Sequence, residues 1–340
     1  MHPPARDCSA AEPEGLRDVM GEADTCPVCC GRLAAESAEY ESSHVLSLWE
    51  RKGRRFPQQV LDAFAAYEPT VLFRCRRCGA GFYRPAWSAP AAFYDVLQAD
   101  SDTYYLQEKW EYGWALSEVR PGDRVLDVGC GAGCFLELAR TRGAAAVGIE
   151  TAPSARAQAI SRGFPVYDLE VEDASRIVGR EFDVVCAFQV LEHVSEPVAF
   201  AKALASCLRQ GGKLILAVPN AEGSMRWLKD QSSELPPHHL SEWTATAIEA
   251  LAERLGLEVL DMAYEPLDVV HHWDHLLGWW RNTVLRGRGA DDPYYAPQGF
   301  LYRAGSRGLF LLQKVAIRVG LHTLRLVRGH TVAAVLKKTR

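Results

Sequence analysis

Two periodicities alternate through the middle of the chain. Short, nearly continuous apolar runs fall near residues 124–128, 145–149, 165–168, 182–187, 213–218 and 257–264, with helical spacing of apolar residues between them. Runs of this length read as strands buried on both faces, and their alternation with helices predicts a parallel, doubly wound α/β sheet. In such a sheet ligands bind past the C-terminal ends of the strands, so the residues following each run are the candidates for chemistry. Ahead of residue 100 the pattern changes. A charged stretch containing Trp49 and Phe64 lies between two CxxC pairs and is expected to be a helical excursion.

At 340 residues with 48% hydrophobic content, the chain can fill the core of one α/β domain with a smaller attachment. The first 23 residues, rich in Ala, Pro and Glu, are expected to be disordered. No leading apolar segment resembles a signal peptide and no apolar run reaches membrane-spanning length, so a cytoplasmic protein is expected. In that compartment ten cysteines point to thiols or metal ligands and away from disulfides. The net charge of −5 is unevenly spread: residues 293–340 carry +9 and the remainder −14.

Cys26-Pro-Val-Cys29 and Cys75-Arg-Arg-Cys78-Gly79 are separated by 45 residues. Each pair can place two thiolates on one metal, and together they complete the tetrahedral sulfur set that structural zinc prefers. Four thiolates leave no open coordination position, so the zinc should hold a small module outside the α/β core and take no part in catalysis. Cys30 follows Cys29 directly, which leaves an exchange of ligand between the two open. A redox CxxC is the alternative.

Residues 124–133 read RVLDVGCGAG, a strand running into Gly129, Gly131 and Gly133 and then into the helix opening FLELAR. Glycines at alternate positions let a ligand approach the backbone closely. Asp127 narrows the ligand, because a carboxylate there would repel a pyrophosphate and attract an ammonium or sulfonium. The spacing is GxGxG, without the GxGxxG of the dinucleotide fingerprint. The next strand, AAAVGIE, ends in Glu150, placed to accept hydrogen bonds from two ribose hydroxyls.

With VLDVGCGAG, the strand-ending Glu150, FDVVCAFQVLEHV and the strand KLILAVPN, residues 100–264 resemble the class I S-adenosylmethionine-dependent methyltransferases. The resemblance implies a Rossmann-like sheet of seven strands whose last, TVAAVL from Thr331, is antiparallel. It also implies cofactor contacts from Asp127, Gly129, Gly131, Gly133 and Glu150, with Gln189 nearby. The adenine-contacting acid is Glu170, beside Val171, or Asp168 in a slipped alignment. The expected layout is a disordered segment 1–23, a zinc module 24–90, a methyltransferase core 91–264, a helical insertion or lid 265–330 and a final strand 331–340.

FQVLEHV ends an apolar strand on Glu192 and His193, and PPHHLSEWT places His238 and His239 after the strand KLILAVPN. Both loops should open at the same sheet edge. His193 or His239 can serve as general base toward the acceptor, with Glu192 as orienter of either. The order EH, then a distant His, is similar to two metal-assisted O-methyltransferase families, those of small-RNA ends and of ubiquinone biosynthesis, whose pattern is E, then EH, then H. Gln189 stands where their first Glu would be, so magnesium lacks one carboxylate and is not expected to be required.

Within the insertion, His271 and His275 could share a helical face among Trp273, Trp279 and Trp280, and an aromatic lid is the expected role. Residues 306–328 place Arg307, Lys314, Arg318 and Arg325 opposite leucines and valines, as a cationic amphipathic helix that either packs on the enzyme or lies on an anionic membrane surface. The leading function is methyl transfer to a small-molecule or glycan-linked acceptor, of sugar or natural-product type, with O-methylation expected. Sugar C-methyltransferases that share a zinc module are longer and carry a further domain. Nucleic-acid methylation or binding through the knuckles and basic tail is the alternative, and the overall acidity argues against it.

Overall fold

The computed structural model describes residues 25–35, 39–98, 109–177, 179, 181–223, 231–267, 308, 318 and 328–339. The histidine and tryptophan cluster of the insertion and the amphipathic segment 306–328 lie outside these residues, apart from isolated positions. No described helix is long and apolar enough to cross a membrane.

The strands in chain order are β1 Leu33–Ala35, β2 Val71–Cys75, β3 Gly81–Arg84, β4 Arg124–Val128, β5 Ala145–Ile149, β6 Val166–Tyr167, β7 Phe182–Phe188, β8 Leu208–Pro219, β9 Ser241–Glu242, β10 Leu257–Pro266 and β11 Arg328–Lys338. Seven of them form one sheet in the order β10-β11-β8-β7-β4-β5-β6. The sheet is parallel except for β11, which runs antiparallel to both β8 and β10. The expected α/β architecture with an antiparallel seventh strand is therefore observed, and that strand opens three residues earlier than the apolar run suggested, at Arg328. The order turns back at β4, between β5 and β7. There the crossovers leave to opposite faces, and a crevice opens above the strand ends.

Apolar burial explains the sheet's centre. In β7 every residue but Asp183 is buried, and Leu214–Val218 of β8 are buried without interruption. Strands covered on both faces need no alternation. Helices Cys134–Thr141, Pro153–Ser161, Pro197–Cys207 and Ala245–Leu255 supply the cover. The last of these is capped by Thr244, whose Oγ1 accepts from Ala247 N.

The N-terminal region folds as a second sheet, β1-β2-β3-β9, with helices Ser42–Arg51 and Gln58–Ala66 filling the interval between the CxxC pairs, as expected of a helical excursion. Its outer core is aromatic: Trp49, Phe64, Trp87 and Phe93 are all buried. One expectation is corrected here. The knuckles do not lie outside the α/β core, because Cys26, Cys75, Cys78 and Phe82 belong to the same continuous apolar cluster as Leu126, Trp243 and Ile248. The fourth strand of the small sheet, β9, comes from the segment of the chain that otherwise builds the α/β domain.

Candidate active site

The glycine turn at the end of β4 has the geometry its sequence requires. Gly129 has φ 74°, and a Cβ there would lie 2.5 Å from Val190 Cγ2. Gly133, at φ 82°, is the N-cap of the following helix. Only glycine adopts such a conformation at little cost. Glu150 faces this turn across the crevice: its Oε2 accepts from Gly131 N at 2.8 Å and its Oε1 from Ala152 N at 2.7 Å. Two backbone amides thus fix the carboxylate while leaving lone pairs for a diol.

Asp127 lies below the turn, 2% exposed, and its Oδ1 has no hydrogen-bond partner among the described residues. Burial pushes its carboxyl well above the usual range. An unpaired buried carboxylate is costly, and a cationic ligand is what would satisfy it. The orphaned oxygen, the glycine turn that excludes a Cβ and the amide-held Glu150 together fit an aminoacyl sulfonium nucleoside.

A cavity of about 530 Å³ opens from Gly129 and Glu150 past Glu170, Val171 and Val190 to His193. That volume suits a cofactor together with part of a small acceptor. Glu170 is exposed at its rim, whereas Asp168 pairs with Arg156 at 2.9 Å and is engaged there. Gln189 takes a left-handed φ of 57°, and its Nε2 donates to Glu111 Oε1 at 3.2 Å. Its side chain is therefore turned to the sheet edge and held, and it is not part of the cavity wall.

Beyond β7, a short turn Leu191–His193 presents the EH pair, and the loop after β8 returns His238 and His239 to it. Ring centroids are 4.6 Å apart for His193 and His238, 4.9 Å for His193 and His239, and 4.8 Å for His238 and His239. His193 Nδ1 meets the carbonyl of His238, an acceptor only, so this nitrogen carries the hydrogen and Nε2 keeps its lone pair. His238 Nδ1 is likewise on the carbonyl of Ser233 at 2.9 Å. Burial, with His239 close by, lowers His193 to about 3. His239 is raised: burial opposes its charge, but Glu234 Oε2, 3.5 Å from its Nδ1, outweighs burial.

Glu192 is 1% exposed, and both its oxygens lack hydrogen-bond partners among the described residues, though Oε1 lies 3.9 Å from His193 Nε2. Burial raises its carboxyl to about 7, with His239 acting against the shift. Glu234 is the opposite case. Burial works against its charge, yet His239 and His330 hold it down to about 2. Neither Glu234 nor His330 was singled out from the sequence. Glu234 stands five residues before His239, but only the fold of the Pro-Pro loop turns it onto that ring; His330 arrives from β11.

The three imidazoles place one nitrogen each within 4.8 Å of the others. Magnesium prefers an all-oxygen, near-octahedral set. The imidazole nitrogens do not supply that set: the carboxylates beside them are Glu192, 3.9 Å from His193 Nε2, and Glu234, 3.5 Å from His239 Nδ1, and Gln189 is bonded to Glu111. The cysteines do fit a metal. Cys26, Cys29, Cys75 and Cys78 bring their sulfurs within 4.8 Å of one another, at 3.7 Å for Cys26 and Cys78 and 3.4 Å for Cys29 and Cys75. A tetrahedral zinc with Zn–S near 2.3 Å spaces its sulfurs by about 3.8 Å. The fourth sulfur of the cluster is that of Cys29; Cys30 is disulfide-bonded, which corrects the expectation of thiols and metal ligands alone, and its Sγ lies 3.2 Å from Arg254 Nη1.

A seven-stranded sheet of this order, a glycine turn over an unpaired carboxylate and a strand-ending acid define a class I methyltransferase site. A family model described as a methyltransferase domain matches residues 103–262. A ubiquinone biosynthesis O-methyltransferase of Dinoroseobacter shibae is 31% identical over 183 residues, covering 46% of this chain and 71% of the relative. One of Xanthomonas axonopodis pv. citri is 36% identical over 162 residues, covering 43% and 68%. A solved S-adenosylmethionine-dependent methyltransferase from Archaeoglobus fulgidus superposes with a TM-score of 0.48 at 15% identity, covering 72% of this chain and 100% of that one. The chain belongs to the S-adenosylmethionine-dependent methyltransferases.

Proposed function

We propose that the protein methylates an oxygen of a small-molecule acceptor, with His193 as the base that faces the acceptor and Glu192, His238 and His239 as its surroundings. The observation that carries this reading is His193 itself. It lines the same cavity as Gly129 and Glu150, and the tie of its Nδ1 to a carbonyl leaves Nε2 as the proton acceptor. S-adenosylmethionine, held by Asp127, the glycine turn and Glu150, supplies an electrophilic methyl group when bound. Burial keeps His193 neutral, its Nε2 takes up the hydroxyl proton as the oxygen is alkylated, and Glu192 Oε1, 3.9 Å from that nitrogen, offsets the charge that forms there.

The acceptor end of the cavity is walled by Trp87, Tyr94, Val194, Pro237 and Leu240. Aromatic and aliphatic walls of this kind suit a small, partly apolar acceptor. The relatives' printed name, an O-methyltransferase of ubiquinone biosynthesis, supports O-methylation. We also infer that the four cysteines hold one structural zinc, which the sulfur spacing supports. The test is transfer of labelled methyl groups to catechol, to a nucleotide sugar and to single-stranded RNA, with wild type and His193→Ala. Methylated catechol that His193→Ala fails to produce supports the reading. Transfer confined to the sugar or the RNA, or a variant of unchanged rate, overturns it.

A further inference from the structure

The β9 segment links the two halves of the molecule. β9 pairs with β3 through Gly81 with Glu242 and Phe82 with Ser241. Tyr83 N donates to Leu240 O at 3.1 Å, while Leu240 N donates to Glu192 O at 2.8 Å. Leu240 therefore connects the cysteine-bearing sheet on one side with the EH turn on the other, directly after His238 and His239.

Further ties run the same way. Thr244 Oγ1 donates to the carbonyl of Cys78 at 2.9 Å, Glu242 pairs with Arg74, and Tyr94 Oη donates to the carbonyl of Pro237 at 3.3 Å. The second knuckle is the turn between β2 and β3, closed by Cys75 N on Ala80 O at 2.8 Å. Whatever fixes that knuckle fixes the start of β3, and with it the edge on which β9 rests. The same region reaches the cavity directly, where Ala86, Ser88, Ala89 and Tyr94 form part of its lining.

We propose that the cysteine module is the acceptor-side half of the active site: a metal on its four thiolates positions the His238–His239 loop through the β3–β9 pairing, independently of the cofactor crevice. The proposal rests on the reading that the cluster holds zinc and that the histidine loop serves methyl transfer. A zinc site that merely stabilised an appendage would leave this loop unmoved. Cys26, Cys29, Cys75 and Cys78 are the ligands, and Leu240, Glu242 and Thr244 are positioning residues.

The test avoids turnover. Amide hydrogen exchange is measured on zinc-loaded protein, on protein stripped with chelator under reducing conditions, and after zinc is restored, with calorimetry of S-adenosylhomocysteine on each. Stripping should speed exchange across 238–243 by about tenfold or more, reversibly, while β4 and β5 stay protected. The dissociation constant of the nucleoside should change by less than about twofold. Should stripping unfold the chain, zinc-loaded Glu242→Lys, which sets a like charge against Arg74, should loosen 238–243 alone. The proposal is overturned by a protein that binds no zinc, by protection at 238–243 that survives both perturbations, or by nucleoside affinity lost in parallel with it. A wrong assignment of the base or the acceptor leaves these readouts unchanged, so the two failures are distinguishable.

Discussion

Glu192→Gln isolates the electrostatic state of the site. Glu192 is buried, with neither oxygen hydrogen-bonded among the described residues, and burial raises its carboxyl from 4.5 to about 7. The folded protein therefore holds this proton up to about pH 7, whereas the unfolded chain releases it near 4.5. Between those values the folded state binds more protons, so the group makes stability fall as pH rises through the window. Below it there is no penalty, and above it the penalty is complete. At roughly 1.4 kcal/mol per pH unit the ceiling is about 3 kcal/mol. Relaxation and water entry around a buried charge lower this to about 2 kcal/mol. Glutamine keeps the shape and cannot ionise. The melting temperature of the variant relative to wild type should therefore rise between pH 5 and pH 8, by about 4–8 °C. Histidines that titrate in both proteins drop out of that difference. Scanning calorimetry at the two pH values checks it, and a gap between variant and wild type that is the same at both would refute the assignment of a strained, buried carboxylate.

Asp127→Asn should raise thermal stability while weakening S-adenosylhomocysteine binding about tenfold or more, because it neutralises an unpaired buried acid that the cationic ligand needs. Melting curves and calorimetry give both signs; weaker binding without added stability would contradict the argument. Gly129→Ala combines a left-handed backbone with a contact of 2.5 Å to Val190 and should cost about 1–3 kcal/mol as well as cofactor affinity, which urea unfolding and calorimetry measure together. Glu234→Gln removes the largest opposition to burial of His239 and leaves only Glu192 and Glu242 against it, so the imidazole, raised in the wild type, should titrate lower by NMR; an unchanged titration would remove Glu234 from the site.

Local pattern was enough for much of this protein. Apolar runs located β4, β5 and β7 to within a residue at each end, and the glycines, Asp127 and Glu150 were legible because a tight turn and a strand-ending acid are short-range requirements. The two CxxC pairs were legible for the same reason, since a metal demands thiolates at fixed spacing. Other features were settled by contacts between segments far apart in the chain. Gln189 faces Glu111, and Asp168 is held by Arg156. Glu234 gathers His239 and His330, and a two-residue strand from the methyltransferase segment completes the cysteine-bearing sheet. Two residues carry too little periodicity to announce a strand, and the partner of an edge strand is chosen by where the two sheets come to pack. The histidine pair could thus be suspected from its spacing, but its tautomers, its carboxylate and its attachment to the knuckles depend on long-range packing that no local pattern encodes.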